Sequence, residues 1–140
     1  MDYLNGAMLG DGCLLMNKHS VNACFNYLSK SYQHVEFVSK PFLDFSTQGI
    51  VYSKYFDKRT NKEYEHNSFR TRVNPLFTRE YYRWYINGIK HIPESLVLNP
   101  TICLIWYLGD GGIVKSGYSC HLKLSTHCFS KAEQEQILLP

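Results

Sequence analysis

Leu4-Asn5-Gly6-Ala7-Met8-Leu9-Gly10-Asp11-Gly12 and Leu104-Ile105-Trp106-Tyr107-Leu108-Gly109-Asp110-Gly111-Gly112 are the two stretches that decide the fold. Each is an apolar run closed by Gly-Asp-Gly, and the two aspartates stand 99 positions apart. Apolar or small residues on nearly every side predict a short buried helix over residues 4–10 and another over 101–108, each stopped by its glycine-flanked aspartate. A helix C-terminus carries partial negative charge, so a carboxylate there costs about 0.3–1 kcal/mol even at the surface. Two such placements make little sense as folding economy, but a bound cation reverses the sign. If the two helices pack side by side about a pseudo-two-fold axis, Asp11 and Asp110 meet at one end. Two carboxylates and two helix C-termini then form a site for a hard divalent metal that can bridge to a phosphate. Gly6 and Gly10 share one helical face and admit a close partner helix. The second helix keeps Gly109 but carries Ile105 where the first has Gly6. The competing reading is that each Gly-Asp-Gly is an ordinary turn; its recurrence after two apolar helices, each followed by a strand pattern, weighs against that.

Outward from the first run, residues 14–30 predict two strands around a turn at Lys18-His19-Ser20, with Ala23, Phe25 and Tyr27 on the core face and Asn22, Cys24 and Asn26 on the other. Residues 32–45 predict a helix that Pro41 breaks or kinks. Residues 49–56 and 64–73, rich in Tyr, Val, Phe and Thr, flank the polar stretch 57–62 and predict a hairpin. A helix follows over 77–87, with Gly88 as its stop. The order helix, two strands, helix then begins again after residue 100, with Leu122-Lys123-Leu124-Ser125 echoing residues 25–29 and a helical stretch over 130–138. Internal repetition at this period implies a pseudo-symmetric molecule. We expect a first half over residues 1–96 and a partial second half over 97–140.

One domain's length, 140 residues, with 44% apolar and 19% charged content, excludes disordered, collagenous and coiled-coil classes. No run approaches the roughly 18 apolar residues of a membrane span, and the start resembles no signal peptide, so an intracellular protein without membrane association is expected. The five cysteines (13, 24, 103, 120, 128) include no C-x-x-C pair and are expected to be reduced and mostly buried. Net charge is only +3, yet residues 54–90 hold nine basic against four acidic side chains, interleaved with aromatics. That suits a polyanionic partner. A solvated basic face is the alternative.

These runs, together with Gly88-Ile89-Lys90-His91-Ile92-Pro93 before the second one, resemble the two-motif, single-chain LAGLIDADG homing endonucleases. The resemblance covers essentially the whole chain. It implies an α+β fold of αββαββ halves about a pseudo-two-fold axis, with antiparallel sheets that lie in the DNA major groove and a second repeat that is incomplete here. It implies an intron-encoded, site-specific endonuclease that hydrolyses a long double-stranded DNA target with Mg²⁺, Mn²⁺ being the substitute. Asp11 and Asp110 are then the catalytic, metal-holding acids, the Gly10 and Gly109 carbonyls assist, and Lys90 lies near the scissile phosphate. Localisation would be an organelle for an intron-borne gene, otherwise a prokaryotic cytoplasm.

Alternation over 64–73 places Ser68, Arg70 and Arg72 on the groove face. Because Arg pairs with guanine and Asn with adenine, Arg70, Arg72, Asn22 and Asn26 are the base-reading candidates. Lys18, Lys54, Lys58, Arg59 and Lys123 are the phosphate-contact candidates, the face of Lys54 being ambiguous. The histidines are read as structural or DNA-contacting. Other readings are an RNA maturase acting on host intron RNA, a degenerate non-cleaving relative, and a protein-binding domain with coincidental turns. A second copy or a complementing polypeptide is a further candidate partner.

Overall fold

A computed structural model describes residues 1–138. Helix α1 (Asp2–Leu9) buries every residue from Leu4 to Leu9, all apolar or small except Asn5, whose Oδ1 accepts from the Arg83 guanidinium at 3.1 Å. It packs against α4 (Pro100–Asp110), which starts cleanly because the Asn99 side chain accepts from the Ile102 N–H and Pro100 fills the first turn. The match of the two helices is a small-to-large one. A β-carbon on Gly6 would stand 2.5 Å from Ile105 Cβ and 2.8 Å from the Ile102 carbonyl oxygen, so the departure at Ile105 is what fills the groove over Gly6.

Strands β1 (Cys13–Leu15), β2 (Cys24–Ser29), β3 (Ile50–Asp57) and β4 (Lys62–Arg70) form one antiparallel sheet in the order β1-β2-β4-β3. Phe25, Tyr27 and Phe69 point to its covered face, where α2 (Tyr32–Ser39), a 3-10 turn (Lys40–Phe45) and α3 (Pro75–Trp84) close the core. Phe25, Phe42, Phe45 and Phe77 meet there with ring centroids 5.1–6.5 Å apart. The register pairs Asn26 with Arg70, Leu28 with Ser68 and Val51 with Ser68, so these residues share the opposite face, on which Leu28, Val51 and Arg70 are exposed. After α4 the pattern repeats with β7 (Gly112–Ser116), β8 (Ser119–Lys123) and α5 (Lys131–Leu138).

Several boundaries depart from the sequence reading for identifiable reasons. The helix expected over 32–45 becomes 3-10 at Lys40, where Pro41 removes a donor. The strand expected to reach Val73 ends at Arg70, because the Thr71 hydroxyl accepts from the Phe25 N–H and the Arg72 N–H turns to the Phe45 carbonyl. Gly88 does not stop a helix. α3 ends at Trp84, and Asn87-Gly88, both at positive φ (51° and 78°), turn a short hairpin of β5 (Tyr85–Ile86) and β6 (Ile89–Lys90). Asn-Gly is the strongest two-residue hairpin signal and outweighs the helical pattern. The cysteines are free, as expected, but only Cys24 is buried, since Cys120 lies on the exposed β7–β8 hairpin and Cys128 in the loop before α5. Among the described residues, no helix is long and apolar enough to cross a membrane.

Candidate acid site and nucleic-acid interface

Asp11 follows the Gly10 C-cap of α1 and Asp110 ends α4, so the α1–α4 packing carries both to one end of the pair. Asp110 lies against Gly10, the C-cap of α1, and Asp11 against Gly109, the penultimate residue of α4. A β-carbon on Gly10 would stand 3.7 Å from Asp110 Cβ, and one on Gly109 would stand 3.7 Å from the Asp11 amide nitrogen and 4.0 Å from Asp11 Oδ2. The convergence has an electrostatic signature. Desolvation by partial burial and then the Asp110 charge push the Asp11 carboxyl above its ordinary pKa, against the pull of Lys90 and His34.

The C-terminal carbonyls of the two helices are satisfied differently. Lys90, delivered by the β5–β6 hairpin, donates from Nζ to the carbonyls of Met8 (2.9 Å), Gly10 (3.3 Å) and Gly12 (2.8 Å). Burial holds its pKa below the ordinary lysine value, opposed by nearby Cys128, Cys13 and the two aspartates. On α4, the Ser125 hydroxyl donates to the Asp110 carbonyl at 2.8 Å. Gly10 thus presents a carbonyl already shared with a lysine. Among the described residues no three His, Cys, Asp or Glu side chains gather at one point, so the protein supplies two acids there and not a full cage. Two carboxylates with backbone carbonyls are hard oxygen donors, the set that suits Mg²⁺, which retains much of its water. The residues fit such an ion.

The second feature is the open sheet face. Arg70 lies there, exposed, its Nε donating to Cys24 Sγ at 3.3 Å, directly across from Asn26, whose Nδ2 donates to Cys13 Sγ at 3.7 Å. A shallow recess between Asn26, Leu28, Gln48, Val51, His66 and Arg70 runs along this face. The other candidates are dispersed. Asn22 precedes β2 and accepts from the Thr78 hydroxyl of α3 at 3.0 Å, so it faces a helix rather than the open sheet. Arg72 lies beyond β4, with its guanidinium donating to the Asp44 carbonyl at 3.0 Å. The register settles Lys54: it pairs with Glu65, on the same side as Ile50 and Phe69, and so points away from the open face. Lys58 and Arg59 sit exposed at the β3–β4 turn, Lys18 in the β1–β2 loop and Lys123 at the end of β8.

Sequence reasoning passed over Cys13, Leu28, Val51 and Tyr55 on the open face, which His66 shares, although strict alternation from Arg70 along β4 and its partner would have named most of them. It also assigned Tyr27 to the core alone. Its hydroxyl in fact lies 3.4 Å from where a β-carbon on Gly109 would stand, beside Asp11.

The chain resembles known proteins over nearly its full extent. A model of the LAGLIDADG DNA endonuclease family matches residues 1–139. The uncharacterized protein MJ1098 of Methanocaldococcus jannaschii is 32% identical over 134 residues, 95% of this chain and 51% of that protein. The cytochrome b mRNA maturase bI2 of Debaryomyces hansenii is 35% identical over 72 residues, 50% of this chain and 26% of that one. In three dimensions the fold superposes on the homing endonuclease I-WcaI, solved bound to its DNA recognition sequence, with a TM-score of 0.85 at 21% identity, covering 96% of this chain and 62% of that one. The chain spans about half the length of MJ1098 and about a quarter of the maturase. With two Gly-Asp-Gly helices packed at its centre and the family matched along its length, the chain belongs to the LAGLIDADG DNA endonuclease family.

Proposed function

We propose that this chain is a site-specific, intron-encoded homing endonuclease that hydrolyses phosphodiester bonds of a long double-stranded DNA target with Mg²⁺. The observation that carries the reading is the meeting of Asp11 and Asp110 at the end of the α1–α4 pair, in a molecule that also offers an uncovered sheet face bearing Arg70 and Asn26. In this reading residues 1–96 form one half and 97–140 contribute to a second.

Hydrolysis needs an attacking water, in-line geometry and neutralisation of the charge that develops on the phosphate. A divalent cation, when bound, supplies Lewis acidity and a more acidic water. Asp11, Asp110 and the Gly10 and Gly109 carbonyls are the residues to hold it. Lys90 places a positive charge beneath the same point, where it steadies the α1 terminus and can stabilise negative charge on the phosphate. The β3–β4 ribbon, nine residues long in β4, extends about 30 Å at roughly 3.3 Å per residue. That length covers most of one turn of a major groove, about 34 Å. Arg70 and Asn26 read bases, while Lys18, Lys58, Arg59 and Lys123 bind phosphates.

The test has two stages: selection of bound duplexes from a randomised library, then incubation of supercoiled plasmid carrying the selected site with Mg²⁺. We expect linear product from the wild-type chain and none from Asp11→Asn or Asp110→Asn, with duplex binding retained. Undiminished cleavage by both variants would overturn the reading. A second reading, an RNA maturase, is favoured by the identity to the bI2 maturase over 72 residues. Splicing of the host intron RNA by the purified chain, unaffected by Asp11→Asn, would select it.

A further inference from the structure

Two buried side-chain polar atoms among the described residues have no hydrogen-bond partner, Tyr27 Oη and Trp84 Nε1. An orphaned buried hydroxyl is costly, so a chain that places one invites the question of what satisfies it. Tyr27 is only 1% exposed, on the covered face of β2 opposite Phe69. Its ring lies in the core, and its hydroxyl, itself buried, ends beside Gly109 on the side where Asp11 lies. A side chain on Gly109 would narrow that space, since its β-carbon would stand 3.4 Å from Tyr27 Oη and 4.0 Å from Asp11 Oδ2.

Burial, then the Asp11 and Asp110 charges, push the phenol up to about 12. Any phenol is protonated at neutral pH, and this one, without a partner among the described residues, is free to donate. Phenylalanine would fill the same volume in the core without leaving a donor behind. The hydroxyl thus has no packing rationale, and it lies on the Asp11 side of Gly109.

We propose that Tyr27 is a positioning residue of the acid site, its O–H donating a hydrogen bond to the oxygens that gather when a divalent cation is held between Asp11 and Asp110. This rests on the metal-dependent reading above. Outer hydrogen bonds of this kind orient ligating groups, and their loss weakens metal binding by about 10-fold or more.

Thermal unfolding and Mn²⁺ titration of wild type, Tyr27→Phe and Asp11→Asn, in EDTA and in Mn²⁺, test it without reference to cleavage. Without metal, Tyr27→Phe removes an unsatisfied group and raises Tm by roughly 2–8 °C. With Mn²⁺ the advantage shrinks or reverses, and Mn²⁺ affinity falls about 10-fold. A merely structural tyrosine would shift Tm equally in both conditions. Wild-type binding that Asp11→Asn abolishes and Tyr27→Phe leaves intact overturns the role of Tyr27 and spares the metal reading. No Mn²⁺ binding by wild type overturns both.

Discussion

Arg70 and Arg72 are two residues apart and, by alternation alone, equivalent. Their surroundings separate them. Arg70 is still in β4, on the uncovered face, and only its Nε is engaged, by the Cys24 thiol. The two terminal nitrogens remain for a guanine edge, and Asn26 across the strand is placed to read the neighbouring position. Arg72 has left the strand, and one of its terminal nitrogens is engaged by the Asp44 carbonyl. Arg70→Ala is therefore expected to lose about 1–3 kcal/mol of discrimination at one base position. Arg72→Ala is expected to leave base preference unchanged. Binding selection from randomised duplexes, run in parallel on the two variants, measures both outcomes; loss of preference in Arg72→Ala alone would reverse the assignment. The candidate acids were legible in the sequence because a negative charge at a helix C-terminus opposes the helix dipole wherever it occurs. The difference between the arginines was not, since it turns on Thr71 diverting the backbone to Phe25.

Helix packing obeys the same distinction between what a pattern shows and what contact decides. Gly6 and Gly10 both read as residues that admit a partner helix, yet only one of them is closed. At Gly6 an added β-carbon would meet Ile105 Cβ at 2.5 Å and the Ile102 carbonyl oxygen at 2.8 Å, atoms fixed to the α4 backbone that cannot swing aside as the end of a flexible side chain could. At Gly10 the nearest atoms are 3.7 Å away, an ordinary van der Waals contact. Gly6→Ala is expected to destabilise by about 1–3 kcal/mol or more through overpacking. Gly10→Ala is expected to fold with near wild-type stability. Urea unfolding at constant m-value distinguishes them, and equal midpoints would refute the close contact. Helices, the main sheet and their order were readable from periodicity and turn residues. The β5–β6 hairpin was not read, because Tyr81, Trp84 and Tyr85 continue a helical spacing into it and Gly88 reads as a helix stop, although Asn87-Gly88 carries the hairpin signal that the positive φ of both residues bears out. That hairpin delivers Lys90, so an error at element scale also hid how the lysine reaches the α1 terminus.

At the scale of the whole molecule, the segments after α4 are held to the rest by a few polar contacts as well as by Phe129 and Ile137 in the core. Ser130-Lys131-Ala132-Glu133 is a capping box. The Glu133 carboxylate accepts from the Ser130 N–H at 2.8 Å and from its hydroxyl at 2.6 Å, while the Ser130 hydroxyl accepts from the Glu133 N–H at 3.3 Å. The same carboxylate also accepts from the Ile92 N–H at 2.9 Å and lies 3.2 Å from His91 Nδ1, in the segment that joins the two repeats. One side chain thus starts α5 and ties it to the connector. Partial burial raises the Glu133 pKa, but the hydrogen bonds from Ser130 and Ile92, with His91, outweigh it and hold the group at about 2, against an ordinary 4.5. A depressed carboxyl pKa contributes stability that is complete above the unfolded value and is lost as pH falls through the folded one. The docking of α5 is therefore expected to weaken between pH 4.5 and about 2. Limited pepsin digestion across that range should cut first within residues 125–138. In Glu133→Gln, which cannot titrate, the pH dependence of that early cut should disappear, while cleavage at higher pH increases because the charge-assisted bonds are gone. An α5 whose protection in the wild type is constant from pH 4.5 to 2 would show that the apolar contacts of Phe129 and Ile137 hold it unaided.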